Sequence, residues 1–306
     1  MIRHFLSMND ISNQEFISIL DSAKKLKSEL KSGIPHPVLK NKILAMLFEK
    51  PSTRTRVSFE SGMTQLGGHA MFLDFSTLQT SRVETIEDTA RILSGYSDLI
   101  MARLFKHDDI IKIAENSKVP VINGLTDVEH PCQALADLLT VREHKGFEKT
   151  TLAYIGDAAN NVCHSLMIAC AKAGINIKIG CPEKYKPHKW AINSFNKTAK
   201  DTNAKILITN NPEEAVKDSD VVYTDVWVSM GDEKEEKKRV EVLKPYQVSK
   251  ELMKKAKSDA VFMHDLPAHR GYEVTNEVLD SPQSIVFDQA ENRMHVQKAL
   301  MCFLLQ

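Results

Sequence analysis

The chain has 306 residues, with 40 Lys and Arg against 40 Asp and Glu, and a formal net charge of zero when His is counted neutral. That balance excludes a strongly basic nucleic-acid binder, whose affinity would come from neutralising phosphates. The 42% hydrophobic content excludes a disordered chain, which would pair few apolar residues with a large net charge.

The length suits about two domains of ordinary size. No apolar run reaches the roughly 18 residues of a transmembrane helix. Met1-Ile2-Arg3-His4-Phe5-Leu6-Ser7 is followed at once by polar and acidic residues, unlike a signal peptide. The five cysteines, Cys132, Cys163, Cys170, Cys181 and Cys302, form no CxxC pair, and their number is odd. That fits reduced thiols better than a disulfide framework. Together these features predict a soluble cytoplasmic protein that binds neither nucleic acid nor membrane.

In chain order, Ser12-Asn13-Gln14-Glu15 reads as a capping box, with Phe16, Ile19, Leu20, Ala23, Leu26 and Leu30 following at helical spacing. Short apolar runs predict strands over 42–48, 69–75, 99–102, 119–123, 151–155, 176–179, 205–209, 220–224 and 260–264. Helices are expected over 57–66, 131–144, 162–173, 190–200 and 248–257; Gly67 or Gly174 closes two of them and Pro131 opens another. Alternation of this kind predicts an α/β fold of two domains, each a mainly parallel sheet flanked by helices. The polar stretch 144–149 marks the boundary, giving domains 1–144 and 150–288, and a terminal helix over 289–306 is expected to return to the first. The mixed-charge run 232–239 (DEKEEKKR) reads as a solvated loop or helix face, or as part of a lid, since it follows Ser229-Met230-Gly231.

Five constellations carry chemistry. Phe48-Glu49-Lys50-Pro51-Ser52-Thr53-Arg54-Thr55-Arg56 ends a strand and opens a helix. Helix N-termini leave unsatisfied N–H groups that favour anions, and hydroxyls with a guanidinium complete a phosphate cradle. An ordinary Ser/Thr cap is the plainer alternative. His130-Pro131-Cys132-Gln133 also follows a strand and starts a helix, where the dipole keeps an imidazole neutral and able to donate to a carbonyl. Gly156-Asp157-Ala158-Ala159-Asn160-Asn161 occupies the place of a dinucleotide loop but lacks GxGxxG; its paired Asn residues suit a polar ligand or a cap. Asp225-Val226-Trp227-Val228-Ser229-Met230-Gly231 ends another strand, where an acid suits a cationic amine. His264-Asp265-Leu266-Pro267-Ala268-His269-Arg270-Gly271 holds two histidines, but no zinc-type spacing accompanies them.

Taken together and in this order, with Glu84-Thr85-Ile86-Glu87-Asp88-Thr89-Ala90-Arg91 and Glu291-Asn292-Arg293, these motifs resemble the ornithine carbamoyltransferases over nearly the whole chain. The resemblance implies an N-terminal domain for carbamoyl phosphate, a C-terminal domain for L-ornithine and an active site in the cleft. It also implies a homotrimer, arginine biosynthesis, and no metal or cofactor. By motif match, Ser52, Thr53, Arg54 and Thr55 hold the phosphate, and a neighbouring subunit supplies Gln79. Arg103, His130, Gln133, Leu266 and Arg293 complete the carbamoyl phosphate contacts, while Asn161, Asp225, Ser229 and Met230 take ornithine. Arg103, His130 and Asp265 are the catalytic candidates, and Arg56 reads as a structural ion pair.

There is one departure. The family usually reads His-Cys-Leu-Pro where this chain has His264-Asp265-Leu266-Pro267. A carboxylate there favours the ammonium form of a nearby amine. Three competing readings follow: a carbamoyltransferase for putrescine or acylated ornithine, a nicotinamide-dependent dehydrogenase, which the missing GxGxxG opposes, and an inactive interaction partner.

Overall fold

The computed structural model describes residues 2–78, 84–228 and 235–306. It divides into two compact units, Met1–Leu139 with Glu291–Gln306, and Thr140–Ala290. The first contains α1 (Asn13–Lys31), β1 (Ile43–Phe48), α2 (Thr53–Gln65), β2 (His69–Asp74), α3 (Ile86–Tyr96), β3 (Leu99–Arg103), α4 (His107–Asn116) and β4 (Val121–Leu125). The division falls inside the next helix, α5 (Pro131–His144). The second unit continues with β5 (Thr151–Ile155), α6 (Asn161–Ala173), β6 (Asn176–Gly180), α7 (Lys189–Ala199), β7 (Ile206–Thr209), α8 (Pro212–Val216), β8 (Val221–Thr224) and α9 (Glu236–Leu243). It ends with α10 (Lys250–Met253), β9 (Val261–His264), α11 (Asn276–Leu279) and the start of α12 (Val286–Leu304).

The local grammar explains these elements. The Ser12 hydroxyl accepts from the Glu15 amide at 3.2 Å, and the Glu15 carboxylate accepts from the Ser12 amide at 2.7 Å, closing the expected capping box. At the end of α6, Gly174 adopts φ 72° and stops the helix in the left-handed conformation. The helix expected over 248–257 shrinks to α10, because Val248 pairs instead with Val274 in a parallel bridge. Its amide donates to Glu273 O at 2.8 Å, and its carbonyl accepts from Thr275 N at 3.2 Å. Those backbone groups are spent on a second segment and cannot open a helix.

Both sheets are parallel, ordered β2-β1-β3-β4 in the first unit and β7-β6-β5-β8-β9 in the second. The central strands β1, β3, β5 and β8 are buried along nearly their whole length, which is why they read as unbroken apolar runs. Strand order reverses between β1 and β3 in one sheet and between β5 and β8 in the other. In open α/β sheets, ligands gather outside the carboxyl ends of strands at such reversals. Among the described residues, no helix is long and apolar enough to cross a membrane.

Candidate active site

In the first unit the predicted residues converge on the carboxyl ends of β1, β3 and β4. Ser52 caps α2: its hydroxyl accepts from the Thr55 amide at 3.3 Å and donates to Thr55 Oγ1 at 3.0 Å. Arg103, the last residue of β3, lies in register with Phe48, the last of β1. Its Nη1 donates to Thr55 Oγ1 at 3.4 Å. Arg293 arrives from α12, donating through Nη2 to Thr55 Oγ1 at 2.7 Å and through Nη1 to Gln133 Oε1 at 2.6 Å. Gln133 in turn donates to Asp137 Oδ1 at 2.8 Å. Thr55, Arg103, Gln133 and Arg293 are all buried, so this is a desolvated network, where fixed donors act more strongly than in water.

His130 immediately precedes α5 and is 1% exposed. Burial pushes its pKa well below 6.5, and the cations Arg293, Arg103, Lys50 and Arg54 push it further down. The imidazole is therefore neutral at physiological pH, as the sequence predicts, although burial and four cations carry the shift. The same four cations create a positive field in which an anion is at home. Thr53 is exposed and Arg54 half-buried on the first turn of α2. Arg56 pairs with Glu60 at 3.0 Å one turn on, and its guanidinium lies 3.8 Å from the centre of the Phe72 ring.

The second unit gathers a different chemistry at the ends of β5, β8 and β9. Of the paired asparagines, Asn160 is the cap: its Oδ1 accepts from the Cys163 amide at 2.8 Å, which leaves Asn161 as the first helical residue. Gly156 has φ 122°, and a Cβ there would lie 3.2 Å from Trp227 Nε1, so both backbone and space demand glycine. β8 and β9 pair with Thr224 opposite His264, so Asp225 and Asp265 leave adjacent strands side by side. Asp225 is buried, and burial raises its pKa to about 7, with Asp265 adding to the rise.

His264 has both ring nitrogens engaged. Nδ1 accepts from the Leu266 amide at 2.8 Å, so the proton sits on Nε2, which donates to Glu273 Oε1 at 3.1 Å. The same Glu273 oxygen accepts from the His269 amide at 2.5 Å. These bonds fix the turn through Leu266, whose φ is 62°, and engage both ring nitrogens of His264. Leu266 is partly buried against the core of this unit.

Residues 3–143 match the aspartate/ornithine carbamoyltransferase carbamoyl-P binding domain, and residues 148–304 match the Asp/Orn binding domain of the same family. The chain belongs to the aspartate/ornithine carbamoyltransferase family. An ornithine carbamoyltransferase of Pyrococcus horikoshii is 52% identical, over 99% of this chain and 96% of its own length. The solved structure of ornithine carbamoyltransferase from Pyrococcus furiosus is 51% identical with TM-score 0.95, covering 98% of this chain and 96% of that one. The anabolic ornithine carbamoyltransferase of Campylobacter jejuni is 41% identical with TM-score 0.94, covering 99% of each chain.

Within this carbamoyltransferase fold, Ser52, Thr55, Arg103, Gln133 and Arg293 form one bonded network, and the charges of Arg54 and Lys50 reach His130. Asn161, Asp225, Asp265 and Leu266 belong to the second unit. Gln79, Ser229 and Met230 lie outside the described residues. Of the run 232–239, residues 232–234 lie outside the described residues and Glu235, Glu236, Lys237 and Lys238 are exposed, as a solvated face requires; Arg239 alone of the described ones departs, being buried and bonded to Asp157 and to Trp227 O. Asp137 and Glu273, which hold Gln133 and His264, carry no local signal in the sequence beyond being acids.

Proposed function

We propose that this chain transfers the carbamoyl group of carbamoyl phosphate to the side-chain amine of L-ornithine, giving L-citrulline and phosphate in the direction of arginine biosynthesis. The family match over both units carries this reading. Two of its relatives, from Pyrococcus furiosus and Campylobacter jejuni, are named anabolic.

Carbamoyl phosphate is assigned to the first unit. Ser52, Thr53, Arg54, Thr55 and Arg293 take the phosphate, and Arg103, His130, Gln133 and Leu266 address the carbamoyl group. What supports this is a buried cluster of cations with hydroxyl and amide groups at a sheet reversal. Ornithine is assigned to Asn161, Asp225, Ser229 and Met230, with Asp265 beside the reacting amine. A trimer in which a neighbour contributes Gln79, and a cytoplasmic location, complete the proposal.

The chemistry follows from these assignments. A free side-chain amine has a pKa near roughly 10.4, so the nucleophile must lose a proton before it attacks. Attack on the carbonyl carbon places negative charge on its oxygen, where Arg103 and neutral His130 donate. Such a donor is worth about 3 kcal/mol of transition-state stabilisation. The C–O bond to phosphate then breaks. The amine proton passes to the leaving phosphate oxygen, so phosphate departs as the hydrogen-phosphate dianion, which Arg54 and Arg293 stabilise. A colorimetric citrulline assay with carbamoyl phosphate and ornithine tests the reading. A panel with putrescine, acylated ornithine and aspartate checks the acceptor, and folded protein that makes no citrulline refutes it.

A further inference from the structure

Arg239 stands apart from its neighbours in the charged run. Glu235, Glu236, Lys237 and Lys238 are exposed, whereas Arg239 is 8% exposed. Its helix packs through Leu243 and Val240 against Trp227 and Tyr185. The guanidinium lies 5.1 Å from the centre of the Tyr185 ring, so its flat face is covered as well.

Its bonds go to two different loops. Nε donates to Trp227 O at 2.6 Å, in the segment that leaves β8, and Nη2 donates to Asp157 Oδ2, in the segment that leaves β5. β5 and β8 are the strands on either side of the order reversal in this sheet, and Ile155 pairs with Thr224 at their ends. Thr224 Oγ1 donates to Ile155 O at 2.7 Å, tying the strand ends before the loops diverge.

Asp157 relays the connection into α6. Its Oδ1 accepts from the Ala159 amide at 2.9 Å, and its carbonyl accepts from Tyr154 OH and Asn160 Nδ2, both at 2.9 Å. Asn160 is the cap that starts α6 at Asn161. On the other side, Trp227 lies two residues beyond Asp225. Beyond the paired strand ends, one fork of donors therefore links the loop that leads to Asn161 with the loop that holds Asp225.

We propose that Arg239 is a positioning residue for the amino-acid acceptor: it bridges the loops after β5 and β8 and so sets the spacing of Asn161 and Asp225. The proposal rests on the carbamoyltransferase reading above and adds a residue that does not touch either substrate. Planar guanidinium geometry is what the bridge needs, since an ammonium is a point charge and does not reproduce two divergent bonds.

Removing one partner of a buried pair leaves the other charge uncompensated, so Arg239→Ala alone confuses folding with positioning. Two other variants separate them. Arg239→Lys keeps the charge beside Asp157 but loses the fork, and the double change Arg239→Gln with Asp157→Asn removes both charges together. In each, steady-state kinetics should show ornithine KM raised by about tenfold or more while carbamoyl phosphate KM stays within about twofold. Thermal unfolding should still show a cooperative transition. Unchanged ornithine KM in both folded variants overturns the proposal. Failure of both to fold overturns it too, in favour of a purely structural pair. The wild type is the control for the underlying reading: if it makes no citrulline, that reading falls, whereas an active wild type with indifferent variants removes only the Arg239 assignment.

Discussion

Arg293 Nη2 donates to Thr55 Oγ1 at 2.7 Å, joining the last helix to the start of α2 across 238 positions of sequence. The same guanidinium holds Gln133, so one side chain orders a hydroxyl and an amide that were read from the sequence as separate contacts. Removing this donor leaves Gln133 Oε1 without its partner, at about 1–3 kcal/mol, whereas Thr55 Oγ1 keeps Ser52 and Arg103. Arg293→Ala should therefore weaken carbamoyl phosphate much more than ornithine. We expect carbamoyl phosphate KM to rise by about 100-fold, with ornithine KM within a few-fold. Equal effects on both substrates would contradict the assignment.

Arg54 is half-buried on the first turn of α2, and its charge reaches His130. Its substitution touches little of the core, so the expected loss is functional. Arg54→Ala should reduce turnover by several orders of magnitude and weaken carbamoyl phosphate binding, with a thermal unfolding temperature close to wild type. Near-normal turnover would refute the phosphate assignment.

Two buried histidines make stability depend on pH. Burial lowers His130 well below 6.5 and lowers His295 to about 4. Well above pH 6.5 neither histidine is protonated in the folded or the unfolded chain, so neither contributes. As pH falls through 6.5, the unfolded chain takes up protons that the folded chain refuses, and stability falls. For His295 that loss levels off below about pH 4, where the folded form also charges. Melting temperatures of His295→Gln and wild type should therefore shift relative to each other between pH 7.5 and pH 4.5, in favour of the variant at acid pH. A difference that stays constant with pH would rule this out.

Much of the fold was legible because parallel strands covered on both faces are apolar throughout, so β1, β3 and β5 announce themselves without periodicity. Caps were legible for a similar local reason, as at Ser12 and Pro131. Arg239 was not. Seven charged residues, 232–238, precede it, and local density of that kind signals solvent; its partner Asp157 lies 82 positions earlier. Val248 was misread because pairing with Val274 is decided by tertiary structure, and a Lys-rich stretch fits a helix equally well. The motif residues could be named from resemblance alone, but Asp137 and Glu273, which orient two of them, could not.

Asp225, a buried acid, carries a stability cost. Its unfolded pKa is 3.8 and its folded pKa is about 7. Between those values the folded chain keeps a proton that the unfolded chain has lost, so raising the pH through this window destabilises the fold. Asp225→Asn removes that penalty. The variant should gain melting temperature over wild type as pH rises from 4 to 7, with the gain constant above that, and should lose ornithine turnover. A melting difference independent of pH would contradict the buried acid.

Asp265 is the position at which this chain departs from the usual family motif, and its effect has a definite direction. It emerges beside Asp225 from the adjacent strand and raises that acid's pKa. Asp265→Cys removes the carboxylate, and a neutral thiol does not oppose ionisation of Asp225. Asp225 should then ionise at lower pH, so the acid limb of kcat/KM for ornithine should move to lower pH. Deprotonation of the bound amine, which is also needed for attack, should move the same way. A carboxylate next to the acceptor stabilises its ammonium form, and its removal lets the amine lose its proton at a lower pH. The Asp225 effect is read from a kcat/KM profile for ornithine at saturating carbamoyl phosphate, which reports the free enzyme, and the amine effect from the kcat profile, which reports the complex; free ornithine itself is unchanged. A shift of about half a unit or more toward acid in the variant supports a charge effect from Asp265, since half a unit already corresponds to about 0.7 kcal/mol. Superimposable profiles would show that the carboxylate is electrostatically silent, leaving Asp265 a filler for the space beside Asp225.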